Sequence, residues 1–455
     1  MSYLNGRVHI VGIGGAGMSG IARVLLARGI EVSGSDAKDS RRFQALKPLG
    51  GNVFVGHDAE NLLAPGGQPS CVVISTAIGQ DNPEVTKANE LGIPVISRAI
   101  ALAELLQDTT AISVAGTHGK TTVTSMIAHI LRDSGFGCNA FLGGIASNYN
   151  TNFWSSDNDV VVVEADEYDR SFLKLNPSVA VITSMDADHL DIYGTPEEVE
   201  NAFIQFSHKI KPNGCLVSKY GLKRENELSA HQHYLYSNSN NYASVYATNI
   251  EVINGSYVFD VIAEAWSITN IDLHMGGLHN VENVTAAITV AKHIGIEDDK
   301  IKKAIATFKG VKRRFEYILK KDGAVLIDDY AHHPEELKAL INGVKNVFKD
   351  KKVTVVFQPH LYSRTNDLAK QFAESLDLAD EVILLPIYPA RELPMVGVES
   401  KMIVEKMEST NKHLLSKEEI QNWISVNQPE LVVMAGAGDI DAMILPIAEI
   451  MKMYK

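Results

Sequence analysis

Residues 111–124 read AISVAGTHGKTTVT, and the fold class turns on them. An apolar, β-rich run from Ala111 to Ala115 leads into Gly116-Thr117-His118-Gly119-Lys120-Thr121-Thr122, after which the residues favour a helix. Glycines let the backbone curl so that several N–H groups face one anion. A helix beginning near Lys120 adds its positive N-terminal end. Lys120 is spaced to reach a terminal phosphate, and the Thr121 hydroxyl to ligate Mg²⁺. The stretch therefore predicts a nucleoside-triphosphate loop joining a buried strand to a helix. The strict pattern carries glycine where Val114 stands, so the loop is a shortened variant. The alternative is an ordinary strand–turn–helix with Lys120 in solvent. Glycine, lysine and paired threonines all at the positions the chemistry requires favour the loop.

Upstream, Val8 to Val11 is a β-rich run ending in Gly12-Ile13-Gly14-Gly15-Ala16-Gly17, an unbroken GxGxxG. A helix is expected over 18–27 and a strand over 31–35, ending at Asp36. That acid lies 19 residues after Gly17, near the distance of a ribose-binding carboxylate. Further strands are expected at 71–75 and 93–97, and helices at 82–91 and 99–106. This alternation predicts a doubly wound parallel unit. Ser75 and Thr76, at the end of one such strand, join Gly12, Gly14, Gly15, Gly17 and Asp36 as candidate contacts for a diphosphate-bearing ligand. A GxGxxG alone does not choose among such ligands, and a tight turn without ligand is its alternative.

The chain has 455 residues, too many for one ordinary core. Boundaries are expected at 107–109 and near Phe315, giving segments 1–108, 109–315 and 316–455. A net charge of −13 argues against a general nucleic-acid or membrane-surface binder. Cys71, Cys138 and Cys215 are far apart and form no CxxC pair, which suggests a reducing compartment. The start is not a signal peptide and no apolar run approaches membrane-spanning length, so a cytoplasmic location is expected.

Downstream of the loop, the apolar strand 159–163 ends in Glu164-Ala165-Asp166-Glu167. Ligands of open α/β sheets bind at carboxyl ends of strands, so Glu164 is expected beside the phosphate loop as a Mg²⁺ ligand. The strand 179–183 ends in Ser184-Met185-Asp186-Ala187-Asp188-His189-Leu190-Asp191, where His189 is a second metal or phosphate candidate. The polar stretch 225–249 is expected to hold one exposed strand, at 242–247, and a side sheet to continue to Leu273. His279, Asn280 and Asn283, opening a helix to about His293, offer donors and acceptors to a purine; an N-cap role for Asn280 is the alternative. Lys312-Arg313-Arg314 is a basic knot in an acidic chain, suited to a polyphosphate. Beyond it, strands at 325–327, 353–357, 381–385 and 431–434 end in polar or glycine-rich tips, consistent with a site wall on one face.

Together these segments resemble the Mur ligase family. The resemblance rests on GIGGAGMSGIA at 12–22, GTHGKTT at 116–122, EADEYD at 164–169, DADHLD at 186–191, GLHNVENVTAA at 277–287, KRRFE at 312–316, DDYAHHP at 328–334 and HLYSRT at 360–365. It implies three α/β domains: a Rossmann-like N-terminal domain for a UDP-sugar, a central P-loop ATPase-type mixed α/β domain, and a Rossmann-like C-terminal domain for an amino acid. It reassigns the GxGxxG to the UDP end of a sugar nucleotide. It implies ATP and Mg²⁺, and UDP-N-acetylmuramate and L-alanine as the partners joined. The relatives that join a recycled tripeptide to the same sugar share nearly every motif. By this resemblance Gly116, Thr117, His118, Gly119, Lys120, Thr121 and Thr122 hold ATP phosphates, with Lys120 on the γ-phosphate. Thr121 and Glu164 hold Mg²⁺, and His189 serves a second metal position. His279, Asn280 and Asn283 lie on the adenine side, Arg314 binds phosphate, and Asp328 contacts ribose. Tyr330, His332, His360 and Arg364 line the amino-acid wall, Arg364 facing its carboxylate. Lys120, His189 and Arg314 are the expected catalytic groups, and His118 or His189 the expected base. Several members carry a carbamylated lysine after the DxxH-type motif. The corresponding stretch, Ala202 to Phe206, has no lysine, so that modification is not expected here. A nucleotide-sensing module and an NAD-dependent dehydrogenase are the readings from other classes.

Overall fold

A computed structural model describes residues 3–64, 66–168, 170–188, 190–253, 256–390 and 392–454. Its chain forms two compact units, one of residues 1–144, 150–246 and 285–304, the other of 145–149, 247–284 and 305–455.

The first unit begins with a five-stranded sheet in the order Asn52–Val55, Val32–Asp36, Val8–Val11, Cys71–Ile74, Val95–Ser97, parallel throughout. The order reverses between Val8–Val11 and Cys71–Ile74, which makes a topological switch point at the end of the first strand. Val8, Ile10 and Val73 sit in one buried cluster with Ile21 and Leu25 of the helix Ala16–Ala27. Asn82 and Ser97 cap the helices Pro83–Glu90 and Arg98–Leu105 with their side chains.

The same unit contains a second parallel array. Thr110–Ala115 lies between Val179–Ile182 and Val160–Glu164, with Cys215–Lys219 and Gln232–Ser237 beyond the former and Asn139–Ala146 beside the latter. Val160 to Val163 are all buried, as expected of a strand covered on both faces. The polar stretch departs from expectation. It carries the strand Gln232–Ser237 as well as Val245–Ile253, and the second begins with buried Val245 and Ala247. Gln232–Ser237 lies between Cys215–Lys219 and Val245–Ile253 and not at an edge; incomplete burial accounts for its polar composition, since only Tyr236 and Ser237 in it are buried.

In the second unit, Ser256–Ala263 pairs antiparallel with Ser267–Leu273; the two are strands of a larger sheet and not the separate side sheet expected. A six-stranded sheet follows in the order Glu316–Lys321, Ala324–Asp329, Leu431–Ala435, Val353–Phe357, Glu381–Leu384, Lys412–Leu414. All its pairs are parallel except the first, a hairpin. Val325, Ile327, Val355, Phe357 and Val433 enter one core cluster, and Leu326, Val356, Val432 and Met434 enter another. The period-two alternation thus buries both faces. Three α/β sheets, with the phosphate loop leaving one of them, are the architecture the resemblance implied. No helix among the described residues is long and apolar enough to cross a membrane. Cys71, Cys138 and Cys215 are buried free thiols, each pushed up to about 12 by burial.

Candidate active site

The phosphate loop connects Thr110–Ala115 to the helix Lys120–Asp133. Gly116 and Gly119 take φ of 138° and 83°, a region that favours glycine. A Cβ at Gly116 would also overlap the Thr183 hydroxyl and lie 2.8 Å from the Ser184 nitrogen. The loop is tied to the end of the neighbouring strand. The Thr117 and Ser184 hydroxyls lie 2.8 Å apart, and the His118 N–H donates to Ser184 Oγ at 2.7 Å. Thr117 and Thr122 are buried, and His118 is exposed.

Two side chains of this helix meet carboxylates. Lys120 Nζ donates to the Gly116 carbonyl at 2.6 Å and to Glu167 Oε1 at 2.7 Å. Thr121 Oγ1 donates to Glu164 Oε1 at 3.1 Å, and the Gly143 N–H to Glu164 Oε2 at 3.0 Å. Burial pushes both carboxyls up from the ordinary range. The Thr121 hydroxyl, Lys120 and the Gly143 N–H oppose this at Glu164, and Lys120 opposes it at Glu167. A hydroxyl and a carboxylate oxygen on one side of a phosphate loop are hard oxygen donors of the kind Mg²⁺ takes, so Thr121 and Glu164 fit that ion. His189 lies outside the described residues. Among the described residues no group of three or more His, Cys, Asp and Glu is gathered as a metal cluster. Glu167 was not foreseen; the only signal for it was the density of acids after the strand.

At the first sheet, the Gly14 N–H donates to Asp36 Oδ2 at 2.9 Å and the Lys38 N–H to Asp36 Oδ1 at 3.0 Å. Asp36 therefore braces the glycine turn. Ser75 and Thr76 follow Cys71–Ile74 at the carboxyl edge. Two features were missed. A Cβ on Gly17 would lie 2.7 Å from Arg98 Nη1, so a guanidinium rests on the glycine loop, while Gly12 turns with φ of 77° and Gly15 caps the helix. His57 Nδ1 is 2.8 Å from Ser35 Oγ, near the fully buried Glu84, which also accepts from Asn61 at 2.7 Å. Neither belongs to a local motif; contacts distant in sequence assemble both.

In the second unit, the helix Leu278–Ile294 begins with exposed His279 and buried Asn280. Asn280 Nδ2 donates to the Gly276 carbonyl at 2.7 Å, and Asn283 Nδ2 to Asn280 Oδ1 at 3.1 Å. These amides organise the helix start. In the basic knot, Arg313 and Arg314 diverge. Arg313 stacks on Tyr330 at 5.0 Å, approaches Asp328 at 3.8 Å and donates to the Gly436 carbonyl. Arg314 is exposed. Asp328 is 3% exposed, and burial raises it to about 7; Asp329 rises to about 6 for the same reason.

Tyr330, His332, His360 and Tyr388 form an aromatic series, with successive ring centroids 5.2, 6.0 and 5.8 Å apart. His332 Nδ1 is 2.8 Å from the Tyr330 carbonyl, and burial lowers the imidazole's proton affinity. Leu361 takes φ of 70° at the turn into the helix Tyr362–Leu376, a strained geometry for leucine, and its N–H donates to the Tyr388 carbonyl at 3.0 Å. Arg364, on that helix, has its buried Nη1 without a partner among the described residues, which suits a site for an anion. Tyr388 had no sequence signal beyond its place after a strand.

The chain is similar to known proteins along nearly its whole length. Residues 7–110 match the Mur ligase family catalytic domain, 114–291 the Mur ligase middle domain, and 313–438 the Mur ligase glutamate ligase domain. The UDP-N-acetylmuramate–L-alanine ligase of Parabacteroides distasonis is 44% identical over 451 residues, covering 98% of this chain and 97% of the relative. That of Porphyromonas gingivalis is 42% identical over 448 residues, covering 97% and 98%. The crystal structure of UDP-N-acetylmuramate-alanine ligase from Thermotoga maritima superposes with a TM-score of 0.78 at 28% identity, covering 97% of this chain and 98% of that one. With three family domains matched in series and more than two fifths of its residues shared with full-length relatives, this chain belongs to the Mur ligase family.

Proposed function

We infer that the protein joins L-alanine to the carboxylate of UDP-N-acetylmuramate with cleavage of ATP, a step of peptidoglycan precursor synthesis. One observation carries this: L-alanine ligases match essentially the whole chain at 40–44% identity. The chemistry accounts for the residue types. A carboxylate is a poor acyl donor because oxide would have to leave. Transfer of the γ-phosphoryl group to a carboxylate oxygen releases ADP and gives an acyl phosphate. The alanine amine then attacks the carbonyl carbon, the bond to the phosphate oxygen breaks, and the ammonium proton passes to a base.

In this reading the loop 116–122 and Lys120 hold the phosphates, and Arg314 adds a second cation as charge gathers between two anions. Mg²⁺, which Thr121 and Glu164 would hold, supplies further neutralisation of phosphate oxygens. His189 keeps its assignment to a second metal position. Gly12, Gly14, Gly15, Gly17, Asp36, Ser75 and Thr76 serve the UDP-sugar, joined by Arg98. His279, Asn280, Asn283 and Asp328 serve the nucleoside of ATP. Tyr330, His332 and His360 line the amino-acid wall, with Arg364 on the carboxylate; the orphaned Nη1 of Arg364 supports that role. A division into domains 1–108, 109–315 and 316–455 and a cytoplasmic location complete the reading.

Phosphate release with UDP-N-acetylmuramate, ATP, Mg²⁺ and each amino acid tests it; L-alanine should give the highest kcat/KM. A second reading is ligation of a recycled tripeptide. Its support is the structure of the Neisseria meningitides UDP-N-acetylmuramate:L-alanyl-gamma-D-glutamyl-meso-diaminopimelate ligase, 28% identical over 68% of this chain with a TM-score of 0.59. Turnover with that tripeptide and none with L-alanine would select it.

A further inference from the structure

The ammonium of Lys120 is tethered at two points. Nζ donates to the Gly116 carbonyl at 2.6 Å and to Glu167 Oε1 at 2.7 Å. The lysine side chain is 14% exposed and the glutamate 1%. An ammonium has three N–H donors. Two are spent inside the protein, and the third is left for a phosphate oxygen. Glu167 is itself held by its own turn. Its carbonyl accepts from the Tyr193 hydroxyl at 2.6 Å and from the Arg170 N–H at 2.9 Å, and the Arg170 guanidinium lies 4.8 Å from the Tyr193 ring centre. The Gly116 carbonyl belongs to a loop anchored on Thr183 and Ser184. The backbone that carries each acceptor is therefore held by hydrogen bonds to its surroundings, and the Glu167 side chain that reaches Lys120 is almost wholly buried.

We propose that Glu167 is a positioning residue for phosphoryl transfer: its carboxylate oxygen, with the Gly116 carbonyl, sets where the Lys120 charge stands relative to the γ-phosphate. This rests on the reading that Lys120 serves the phosphates of ATP. A lysine without the second tether keeps its charge but samples several rotamers, and ordering it in the transition state then opposes the reaction. Misplacement on the order of 1 Å can lower a rate by about a hundredfold.

Reach and charge can be separated. Glu167→Gln keeps the length of the side chain and an acceptor oxygen but removes the charge. Glu167→Asp keeps the charge but withdraws the oxygen by one methylene, about 1.5 Å. If position is what matters, kcat at saturating substrates is about tenfold or more higher in E167Q than in E167D. The KM values for UDP-N-acetylmuramate and L-alanine should stay at wild type in both, which also checks that the variants fold. A kcat ratio of E167Q to E167D above about five supports the proposal, and any lower ratio overturns it. Lys120→Ala is run in parallel. If it leaves phosphate release unchanged, the reading of the loop fails. If it abolishes release while E167D equals E167Q, only the role of Glu167 fails.

Discussion

Lys120 and Arg364 carry the most specific expectations at the level of single residues. Lys120→Ala should lower kcat by about two to three orders of magnitude, the size seen when one donor to a developing anion is removed. Binding of UDP-N-acetylmuramate, measured by calorimetric titration, should stay near wild type. Arg364→Ala should chiefly raise the KM for L-alanine, by about ten- to a hundredfold, the worth of one hydrogen bond to a charged group. An unaltered KM would remove Arg364 from that wall. Asp328 makes a prediction about stability. Its pKa in the fold, about 7, lies above that of an unfolded aspartate, about 3.9. The folded state therefore binds the extra proton between these values. Its contribution is fully present below about pH 4 and is lost as pH rises through about 7, by up to about 1.4 kcal/mol per pH unit. Asp328→Asn should remove that slope, so the variant gains on wild type in urea melts between pH 5 and pH 8. Parallel profiles would show that Asp328 is ionised throughout.

At the level of elements, the strand–loop–helix step around Gly116 is the least tolerant feature. A methyl group there meets Thr183 and Ser184 at a φ of 138°, so backbone strain and overlap act together. Gly116→Ala should destabilise by about 1–3 kcal/mol and should lower ATP turnover beyond what the lost stability explains. Gly143 is a gentler probe. Its Cβ would fall on the carboxylate of Glu164, so Gly143→Ala should displace that side chain from Thr121. The expected result is a higher Mg²⁺ requirement in the phosphate-release assay at nearly unchanged melting temperature; a wild-type Mg²⁺ titration would separate Glu164 from the metal.

The whole molecule divides into two compact units, and a single two-state transition is not expected of such a chain. Differential scanning calorimetry should give a calorimetric enthalpy above the van't Hoff value. A saturating sugar nucleotide, at about a hundred times its Kd, should add about 2.7 kcal/mol to the unit that binds it. Equal enthalpies would mean that the two units unfold as one.

The sequence by itself determined the parallel α/β class, the phosphate loop, the glycine turn at Gly12 to Gly17 and the positions of nearly all the buried strands. These are local signals: apolar runs such as Val160 to Val163, and glycine where φ turns positive. The placement of Thr121 against Glu164 was also legible, because Glu164 ends the strand parallel and adjacent to the one whose carboxyl end feeds the loop and helix carrying Thr121. Tertiary structure alone decided what the polar side chains touch. Arg313 and Arg314 are neighbours with equal chemistry, yet one is locked onto Asp328 and Tyr330 and the other faces solvent. Glu167 on Lys120, Arg98 over Gly17, and Tyr388 on His360 are contacts between residues far apart in the chain. The strand Gln232–Ser237 escaped notice because only Tyr236 and Ser237 in it are buried, which leaves no apolar run to read. Periodicity reports how an element buries itself; which charge meets which depends on distances that exist only after the chain has folded.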